Sequence, residues 1–302
     1  MTAAPSVGAL EAAPSVGDFW ALLKPRVMSL VVFTALVGMA VAPEAPHPVL
    51  GFVALLCIAV GAGAAGALNQ WYEAAGDGLM ERTRDRPIPA GRMEPDTALA
   101  FGAILAVGSV AVMGLLVGPA PAALLAFTIA FYVGVYTVWL KRRTPQNIVI
   151  GGLAGALPPA IGWAAAGGGL AIEPALLVAL IFVWTPPHFW ALALTRGEDY
   201  ARAGIPMLPV VAGAAETARQ IRIYSLVLAP LGVAPGAIGL GGSIYLAVSA
   251  VLGAAFVALA LRLGDGSDQR RALQMFGFSI LYLFLLFAVL LGERLLGLGA
   301  AA

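Results

Sequence analysis

The strongest chemical signal is a set of polar side chains spaced four residues apart at the end of an apolar stretch. Asn69, Glu73 and Asp77 have this spacing, and if a helix runs through them they lie on one face, turn above turn. Two carboxylates and an amide oxygen so placed are hard oxygen ligands of the kind that suits Mg²⁺. Arg82 and Arg86 follow closely. Carboxylates beside guanidinium groups favour one ligand, a diphosphate held through Mg²⁺ and clamped by arginine.

A second stretch repeats this combination of acids and bases: WTPPHFWALALTRGEDYARAGIPMLPV, residues 184–210. Glu198 and Asp199 stand between Arg196 and Arg202 in it. If the chain folds so that the two stretches meet, their side chains can bind one ligand together. That pairing is more specific than either stretch alone, so Asp199 and Arg202 join the candidate site residues.

His188 is the residue of this stretch whose role the spacing determines least. It follows Pro186 and Pro187, which predict a break or kink in a helix, and it stands among aromatic side chains, of which Trp184 is the first. One interpretation is a histidine of the core or of the membrane interface. The other is contact with a flat ligand or with an iron atom.

The elements that must position these residues are membrane-spanning helices. Of the 302 residues, 61% are hydrophobic and 11% charged, which is more apolar than a soluble core of this size requires. One spanning helix takes roughly 20 apolar residues, and a chain in lipid must satisfy its own backbone hydrogen bonds. The nine predicted transmembrane helices are 22–42, 50–72, 97–116, 121–140, 148–166, 174–194, 221–239, 243–263 and 272–291.

The distribution of basic residues predicts the orientation of these spans. Sixteen of the 17 Lys and Arg residues fall on one side of the predicted bundle, and Arg294, after the ninth span, is the exception. Positive residues collect on the cytoplasmic side of a membrane. We therefore expect a multi-pass protein of the cell inner (cytoplasmic) membrane, with the N-terminus in the cytoplasm and the C-terminus outside.

The same topology predicts the domain organisation. The two longest cytoplasmic loops follow the second and the sixth span, four spans apart, which suggests a parallel pseudo-repeat of helices 1–4 and 5–8 with a ninth helix added. Residues 1–18 are small, lean towards polar and lack the pattern of a signal peptide. They are predicted to be a flexible tail, and residues 19–302 a single transmembrane domain.

Three features also have plainer explanations. GAGAAG, residues 61–66, matches the nucleotide-binding pattern G-x-G-x-x-G but falls inside an apolar segment, where small residues let helices pack closely. Residues 141–143 mark the cytoplasmic side, although Lys141 could also help to bind phosphate. The loop 69–92 could be a solvated stretch with surface ion pairs. Its place at the end of a membrane helix favours a site, since charge there is costly unless it is used.

Together the motifs resemble a known family. Asn69-x-x-x-Glu73-x-x-x-Asp77 followed by MERTRDRP is similar to the first signature of the UbiA-type intramembrane prenyltransferases. WTPPHFWALAL with EDYARAGIPMLPVV, and KPRVMSLVVFTALVGM in the first span, resemble the branch that farnesylates haem. Other branches typically carry D-x-x-x-D in the second motif, whereas here Asp199 is followed four residues on by Ala203.

The resemblance implies transfer of a farnesyl group from farnesyl diphosphate to a vinyl group of haem b, with addition of water, to give haem O. It implies Mg²⁺ bound by residues that are also catalytic, a diphosphate bound by basic residues and haem bound by two aromatic ones. These sets are Asn69, Glu73, Asp77 and Asp199 for the metal, Arg82, Arg86, Lys141 and Arg202 for the diphosphate, and His188 and Trp184 for haem. Ala75 departs from the pattern, because the branch often has a further aspartate there.

The implied surroundings and partners follow from the same resemblance. They are the lipid bilayer, the two substrates, and a haem A synthase or assembly factors of terminal oxidases; nucleic acid is not expected. Two other functions stay open. One is a UbiA-type transferase acting on an aromatic acid or a quinone precursor, against which TPPHFW argues. The other is a secondary transporter, which would place ionisable groups at the bilayer midplane and use broken helices, such as one interrupted at Pro186 and Pro187.

Overall fold

A computed structural model describes residues 13–298, and within that range the chain forms helices and no strands. In chain order the helices are α1 Val16–Leu22, α2 Pro25–Ala40, α3 Pro48–Asp77, α4 Pro95–Val117, α5 Pro119–Leu140, α6 Asn147–Ala165, α7 Ile172–Ala193, α8 Gly197–Arg202, α9 Leu208–Val211, α10 Gly213–Ala237, α11 Ser243–Arg262 and α12 Gln269–Leu295. The all-helical prediction is therefore confirmed.

The long helices account for most of the predicted spans. Among the described residues, seven are long and apolar enough to cross a membrane, namely α3 to α7, α11 and α12. The pair α1 and α2, bent by 51°, makes an eighth if it is one span. The remaining predicted span corresponds to α10, which carries Glu216, Arg219 and Arg222 in its first turns and is not among these candidates. A multi-span membrane protein is confirmed, while the count of nine spans and the pseudo-repeat stay predictions.

The bundle closes on itself because its last helix returns to its first long one. Helices that follow one another along the chain are neighbours, α7 packs against α10, and α12 contacts α2. Arg294, near the end of α12, donates hydrogen bonds of 3.1 Å to the carbonyl oxygens of Ala40 and Ala42. A basic side chain satisfying the last carbonyls of a helix is a common way to end it. The one basic residue predicted on the outer side therefore joins the two ends of the bundle.

Two glycines allow α2 and α6 to cross at very short range. A Cβ atom added at Gly38 would lie 2.1 Å from the carbonyl oxygen of Pro159. A Cβ atom added at Gly162 would lie 2.0 Å from the carbonyl oxygen of Ala35. These neighbours are backbone atoms, which cannot move aside as the end of a flexible side chain can. Small residues that bring helix backbones together are typical of helix packing in membranes.

We expect Gly162→Ala to lower the free energy of unfolding by at least about 1–3 kcal/mol, the usual cost of overpacking a core. Gly108→Ala is the matched control, because a Cβ atom at Gly108 on α4 meets nothing within 4 Å. Thermal unfolding of both variants in detergent measures the difference. Equal unfolding midpoints would show that the two helices do not cross this closely.

The glycine-rich stretch of residues 61–66 lies inside α3. This position agrees with the prediction that its small residues serve helix packing. Gly61, Gly63 and Gly66 are each close to a neighbouring helix or turn; a Cβ atom at Gly63, for example, would lie 2.9 Å from the Leu23 side chain. The stretch therefore serves helix packing, and the match to a nucleotide-binding pattern is coincidental.

The first helix begins earlier than the predicted end of the N-terminal tail. Ser15 and Asp18 form a capping box, in which the Asp18 N–H donates to Ser15 Oγ at 3.2 Å and the Ser15 N–H donates to Asp18 Oδ2 at 3.1 Å. This pair satisfies N–H groups that a helix start leaves open. Helix α1 therefore starts at Val16, so it overlaps the last three residues of the predicted tail. Residues 1–12, the rest of the predicted tail, lie outside the described residues.

Candidate functional site

The last turns of α3 present the three predicted polar residues on one buried helix face. α3 extends to Asp77, so the predicted four-residue spacing stacks Asn69, Glu73 and Asp77 turn above turn. Their exposed fractions are 4%, 0% and 1%. An ion moved into such surroundings loses several kcal/mol of hydration. Each of these carboxylates therefore needs a partner, and the rest of the site supplies them.

Glu73 is fully buried, and its two carboxylate oxygens have different surroundings. Oε2 accepts a hydrogen bond from Lys141 Nζ at 3.1 Å and lies 3.4 Å from the Arg142 guanidinium. Oε1 has no hydrogen-bond partner among the residues that the structure describes. Burial lowers the pKa of the Lys141 ammonium, while the Glu73 carboxylate acts in the opposite direction. A buried oxygen normally has a partner, so Oε1 is available to a bound cation.

Asp77 is held by the loop that follows it. Arg86 Nη1 donates to Asp77 Oδ2 at 2.5 Å, and the Thr83 hydroxyl donates to the Asp77 carbonyl oxygen at 2.8 Å. The loop therefore folds back over the end of α3 and closes it. Arg86 is 22% exposed, so its guanidinium also faces the surface from which a charged ligand would approach.

Lys24 also contacts a predicted metal ligand, although it is not among the predicted site residues. Its Nζ donates to Asn69 Oδ1 at 3.1 Å, and Asn69 Nδ2 donates to the Thr137 hydroxyl at 3.1 Å. Lys24 stands at the bend between α1 and α2 with φ +51°, the one left-handed non-glycine residue described. Such backbone costs of order 1–3 kcal/mol and persists only where the surroundings hold it. The available signal was its place at the head of KPRVMSLVVFTALVGM.

The second acidic stretch meets the first through Asp199 on α8. Asp199 Oδ1 accepts hydrogen bonds from the Glu81 backbone N–H, at 3.4 Å, and from the Arg202 guanidinium. Burial acts to raise the pKa of the Asp199 carboxyl, but the hydrogen bonds from Arg202 and Glu81 outweigh it and leave that pKa lowered. Because Asp199 bonds to the loop that follows Asp77, the two carboxylates lie at the same end of the bundle. The lowered pKa keeps the Asp199 carboxylate ionised well below neutral pH.

An apolar cluster beneath the two loops fixes them to each other. Met80 from the first loop packs with residues of the second, namely Tyr200, Ala203, Ile205 and Met207. Burial raises the pKa of the Tyr200 hydroxyl, and the charge of the nearby Arg82 opposes that shift. Above the cluster is a cleft of about 420 Å³, lined by Gly78, Leu79, Met80, Glu81, Arg84 and Arg202. Of the four predicted diphosphate-binding bases, Arg202 lines this cleft, whereas Arg86 and Lys141 pair with Asp77 and Glu73.

The predicted metal ligands are interleaved with bases. Within residues 13–298, no three His, Cys, Asp or Glu side chains are close enough together to enclose a metal ion. Asn69, Glu73 and Asp77 share a face of α3, and Asp199 reaches the loop that follows them. Their oxygens are the donors that Mg²⁺ takes, and Glu73 Oε1 is open. The donor set fits a magnesium ion, and its assignment to these four residues stays a prediction.

Of the break or kink predicted in the sixth span, the break does not occur, and the kink stays a prediction. α7 runs without interruption from Ile172 to Ala193 and contains both Pro186 and Pro187. Membrane helices tolerate proline where neighbouring groups satisfy the freed backbone. The feature that favoured a transporter is therefore absent from α7.

His188 lies flat between two aromatic rings inside the bundle. Its ring centroid is 4.2 Å from that of Trp184 on α7 and 4.8 Å from that of Phe276 on α12, with interplanar angles of 16° and 24°. His188 Nδ1 is 2.6 Å from Ser279 Oγ, and Trp184 Nε1 donates to the Ser279 carbonyl oxygen at 2.8 Å. The structure thus brings His188 and Trp184, the two predicted haem-binding residues, into contact. Both also contact residues of α12, a helix that carries neither motif.

The fold is a bundle of membrane-spanning helices with buried acids and bases at one end. The model of the UbiA prenyltransferase family matches residues 31–292. This chain belongs to that family. It is 61% identical to the protoheme IX farnesyltransferase of Parvibaculum lavamentivorans over 292 residues, which cover 95% of this chain and 92% of the relative. It is 60% identical to the protein of the same name from Azorhizobium caulinodans, over 92% of each chain.

Solved structures show the same fold at low sequence identity. A digeranylgeranylglyceryl phosphate synthase superposes with a TM-score of 0.76 at 14% identity, over 92% of this chain and 98% of that one. A UbiA homologue from Archaeoglobus fulgidus bound to GPP and Mg²⁺ gives a TM-score of 0.66 at 16% identity, over 90% and 99%. The predicted membrane-prenyltransferase fold is confirmed.

Proposed function

We propose that this chain is a protoheme IX farnesyltransferase that uses Mg²⁺, farnesyl diphosphate and haem b to make haem O. The observation that carries the proposal is the buried acid–base set at the end of α3, whose Glu73 keeps one oxygen open. It lies beside the loop of Asp199 and Arg202, which contains the haem-branch motif. Relatives of that name at 61% and 60% identity support the choice of haem as acceptor.

The proposed reaction balances as follows. The bond between the first farnesyl carbon and the diphosphate oxygen breaks, and the diphosphate leaves with the electron pair. The farnesyl carbon bonds to the terminal vinyl carbon of haem b. The oxygen of a water molecule bonds to the neighbouring vinyl carbon, and that water loses one proton to solvent. Bound by Asn69, Glu73, Asp77 and Asp199, Mg²⁺ would supply the positive charge that neutralises the leaving diphosphate.

The chain's own bases do the rest of the binding. Arg82, Arg86, Lys141 and Arg202 contact the phosphate oxygens, and arginine suits them because its guanidinium can donate two parallel hydrogen bonds. Without a ligand, three of these bases neutralise the acids: Lys141 pairs with Glu73, Arg86 with Asp77, and Arg202 with Asp199. Arg142 and Lys24 also reach this acidic set, so bases outnumber acids where an anionic substrate would bind, and the apolar helices beneath keep water from the reactive allylic carbon.

The proposed orientation in the membrane follows from the charges. Fourteen basic residues lie in the described loops and helix ends on the side of the acid–base set, counted from Arg82 to Arg271. This side faces the cytoplasm if the positive-inside rule holds. The N-terminus then lies inside and the C-terminus outside, in the inner membrane. Haem A synthase or assembly factors of terminal oxidases are the proposed recipients of the product.

An assay with purified components tests the function. Protein in detergent is incubated with haem b, farnesyl diphosphate and Mg²⁺, and we expect a haem product heavier by one farnesyl group and one hydroxyl group. With EDTA in place of Mg²⁺, no product should form. Prenylation of an aromatic acid or a quinone precursor, with haem left unchanged, would instead establish the other transferase activity. Uptake of unaltered labelled substrate into vesicles would establish transport.

A further inference from the structure

Ser279 on α12 contacts both residues proposed to bind haem, although it belongs to neither motif. It is fully buried. Its hydroxyl donates to the Phe276 carbonyl oxygen at 2.6 Å and lies 2.6 Å from His188 Nδ1, while its own carbonyl oxygen accepts from Trp184 Nε1 at 2.8 Å. One residue thus joins α12 to the part of α7 that carries His188 and Trp184.

The hydrogen bonds of Ser279 determine which nitrogen of His188 carries the proton. A serine hydroxyl has one proton to donate, and here it points to the Phe276 carbonyl oxygen. With that proton directed to Phe276, the hydroxyl oxygen accepts from His188, and Nδ1 then bears the hydrogen. In a neutral imidazole the other nitrogen, Nε2, then carries a lone pair. No side chain or backbone group of the described residues hydrogen-bonds to Nε2.

The surroundings of the ring favour a ligand over a proton carrier. Trp184 and Phe276 cover its two faces, and in the described part of the chain its sole hydrogen-bond partner is a hydroxyl. A general base would become a buried cation, and among residues 13–298 no carboxylate contacts the ring to stabilise it. A neutral imidazole with its Nε2 lone pair open is the form that binds iron. His188 also lies five residues before the end of α7, about 7 Å below it, which places Nε2 among the helices beneath the acidic loops.

We infer that Ser279 is a positioning residue that holds His188 in the Nδ1–H tautomer, and that His188 Nε2 is an axial ligand to the iron of the haem substrate. The inference rests on the proposed function, because it takes haem as the acceptor. Partners of a ligating histidine orient the ring, and their removal typically costs about 10–100-fold in metal affinity. Iron ligation at this point would hold the porphyrin still while one of its vinyl groups reacts.

Titration of haem b into the purified protein without farnesyl diphosphate tests the inference independently of turnover. The unmutated protein is expected to give the absorption spectrum of histidine-ligated haem. His188→Ala should lose that spectrum, and added imidazole should restore it. Ser279→Ala should weaken haem binding by about 10–100-fold, whereas Ser279→Thr keeps the hydroxyl and should bind haem more tightly than Ser279→Ala.

Ser249→Ala is the matched control, because Ser249 on α11 is also fully buried and its hydroxyl likewise donates to a carbonyl three residues earlier, that of Leu246. Its haem affinity should equal that of the unmutated protein. An unchanged spectrum in His188→Ala would overturn the inference and leave the proposed function standing. His188→Ala could lose the spectrum of histidine-ligated haem while Ser279→Ala binds haem as tightly as the unmutated protein. That result would overturn the proposal that Ser279 positions His188.

Two further outcomes are decisive. If the unmutated protein binds no haem, the proposed function and the inference both fall. If His188→Ala does not fold, as judged by gel filtration in detergent, Ser279→Ala decides, because it removes a single oxygen atom and leaves the imidazole in place. Unchanged affinity and an unchanged spectrum in that variant would then overturn the inference.

Discussion

Asp77→Asn is expected to lower kcat/KM by about 100-fold or more while the protein stays folded. The substitution keeps the size of the side chain and removes the negative charge through which the diphosphate's metal would be held. Losing one preorganised electrostatic contact to a developing charge typically costs about 10²–10³-fold in rate. Stability should change little, because Arg86, the partner of Asp77, is 22% exposed and can be solvated when its counter-ion is gone.

Asp85→Asn is the control for this change. Asp85 lies in the same loop but is exposed, and its carboxylate forms no ion pair in the described part of the chain. Its kcat/KM should match that of the unmutated enzyme in the mass-detected assay, and both variants should elute from gel filtration as the unmutated protein does. A turnover near normal in Asp77→Asn would refute the assignment of Asp77 to metal binding.

Glu73→Gln is the second large effect, and here activity and stability should both fall. Glu73 is fully buried and neutralises Lys141, whose side chain is 14% exposed. Removing one partner of a buried ion pair costs about 3–5 kcal/mol, because the other charge is left without compensation. The amide also removes the open carboxylate oxygen, so we expect turnover to drop by about 100-fold or more. Thermal unfolding in detergent and the mass-detected assay measure the two effects.

The double variant Glu73→Gln/Lys141→Met separates the two roles of Glu73. It removes both charges, and replacing a buried ion pair by uncharged groups is often neutral or stabilising. The unfolding midpoint should therefore recover, while turnover should stay below that of Lys141→Met alone. Equal turnover in the double variant and in Lys141→Met would show that Glu73 acts only as a counter-ion for Lys141 and would remove it from the metal site.

Much of the candidate site could be predicted from the sequence because its signals are local. Asn69, Glu73 and Asp77 lie on one helix, so their spacing alone places them on a common face. The basic residues after them are near in the chain, and the Arg86–Asp77 pair spans one loop. Lys24 and Ser279 could not be found in this way. Each reaches its partner across a long stretch of chain, Lys24 to Asn69 and Ser279 to His188, and no periodicity records such a contact.

The break predicted at Pro186 and Pro187 does not occur, for a related reason. Proline removes a backbone donor and disfavours a helix locally, which is all that the sequence states. Within α7 the helix continues through both residues, because packing in a membrane bundle can outweigh a local preference. The start of α1 at Val16 shows the opposite case, in which a local capping box in the sequence begins the helix.

The amino-acid sequence by itself determined that this protein is an all-helical membrane protein and which polar residues end its third helix. Both depend on short-range physics: lipid leaves a backbone no partner but itself, and a four-residue spacing makes one helix face. The tertiary structure alone decided that Glu73 keeps one oxygen open beside Lys141, that the loop of Asp199 meets the loop of Glu81, and that the Ser279 hydroxyl lies against the His188 ring. Those arrangements depend on how the helices pack against one another, and packing is settled by the shape of the whole bundle.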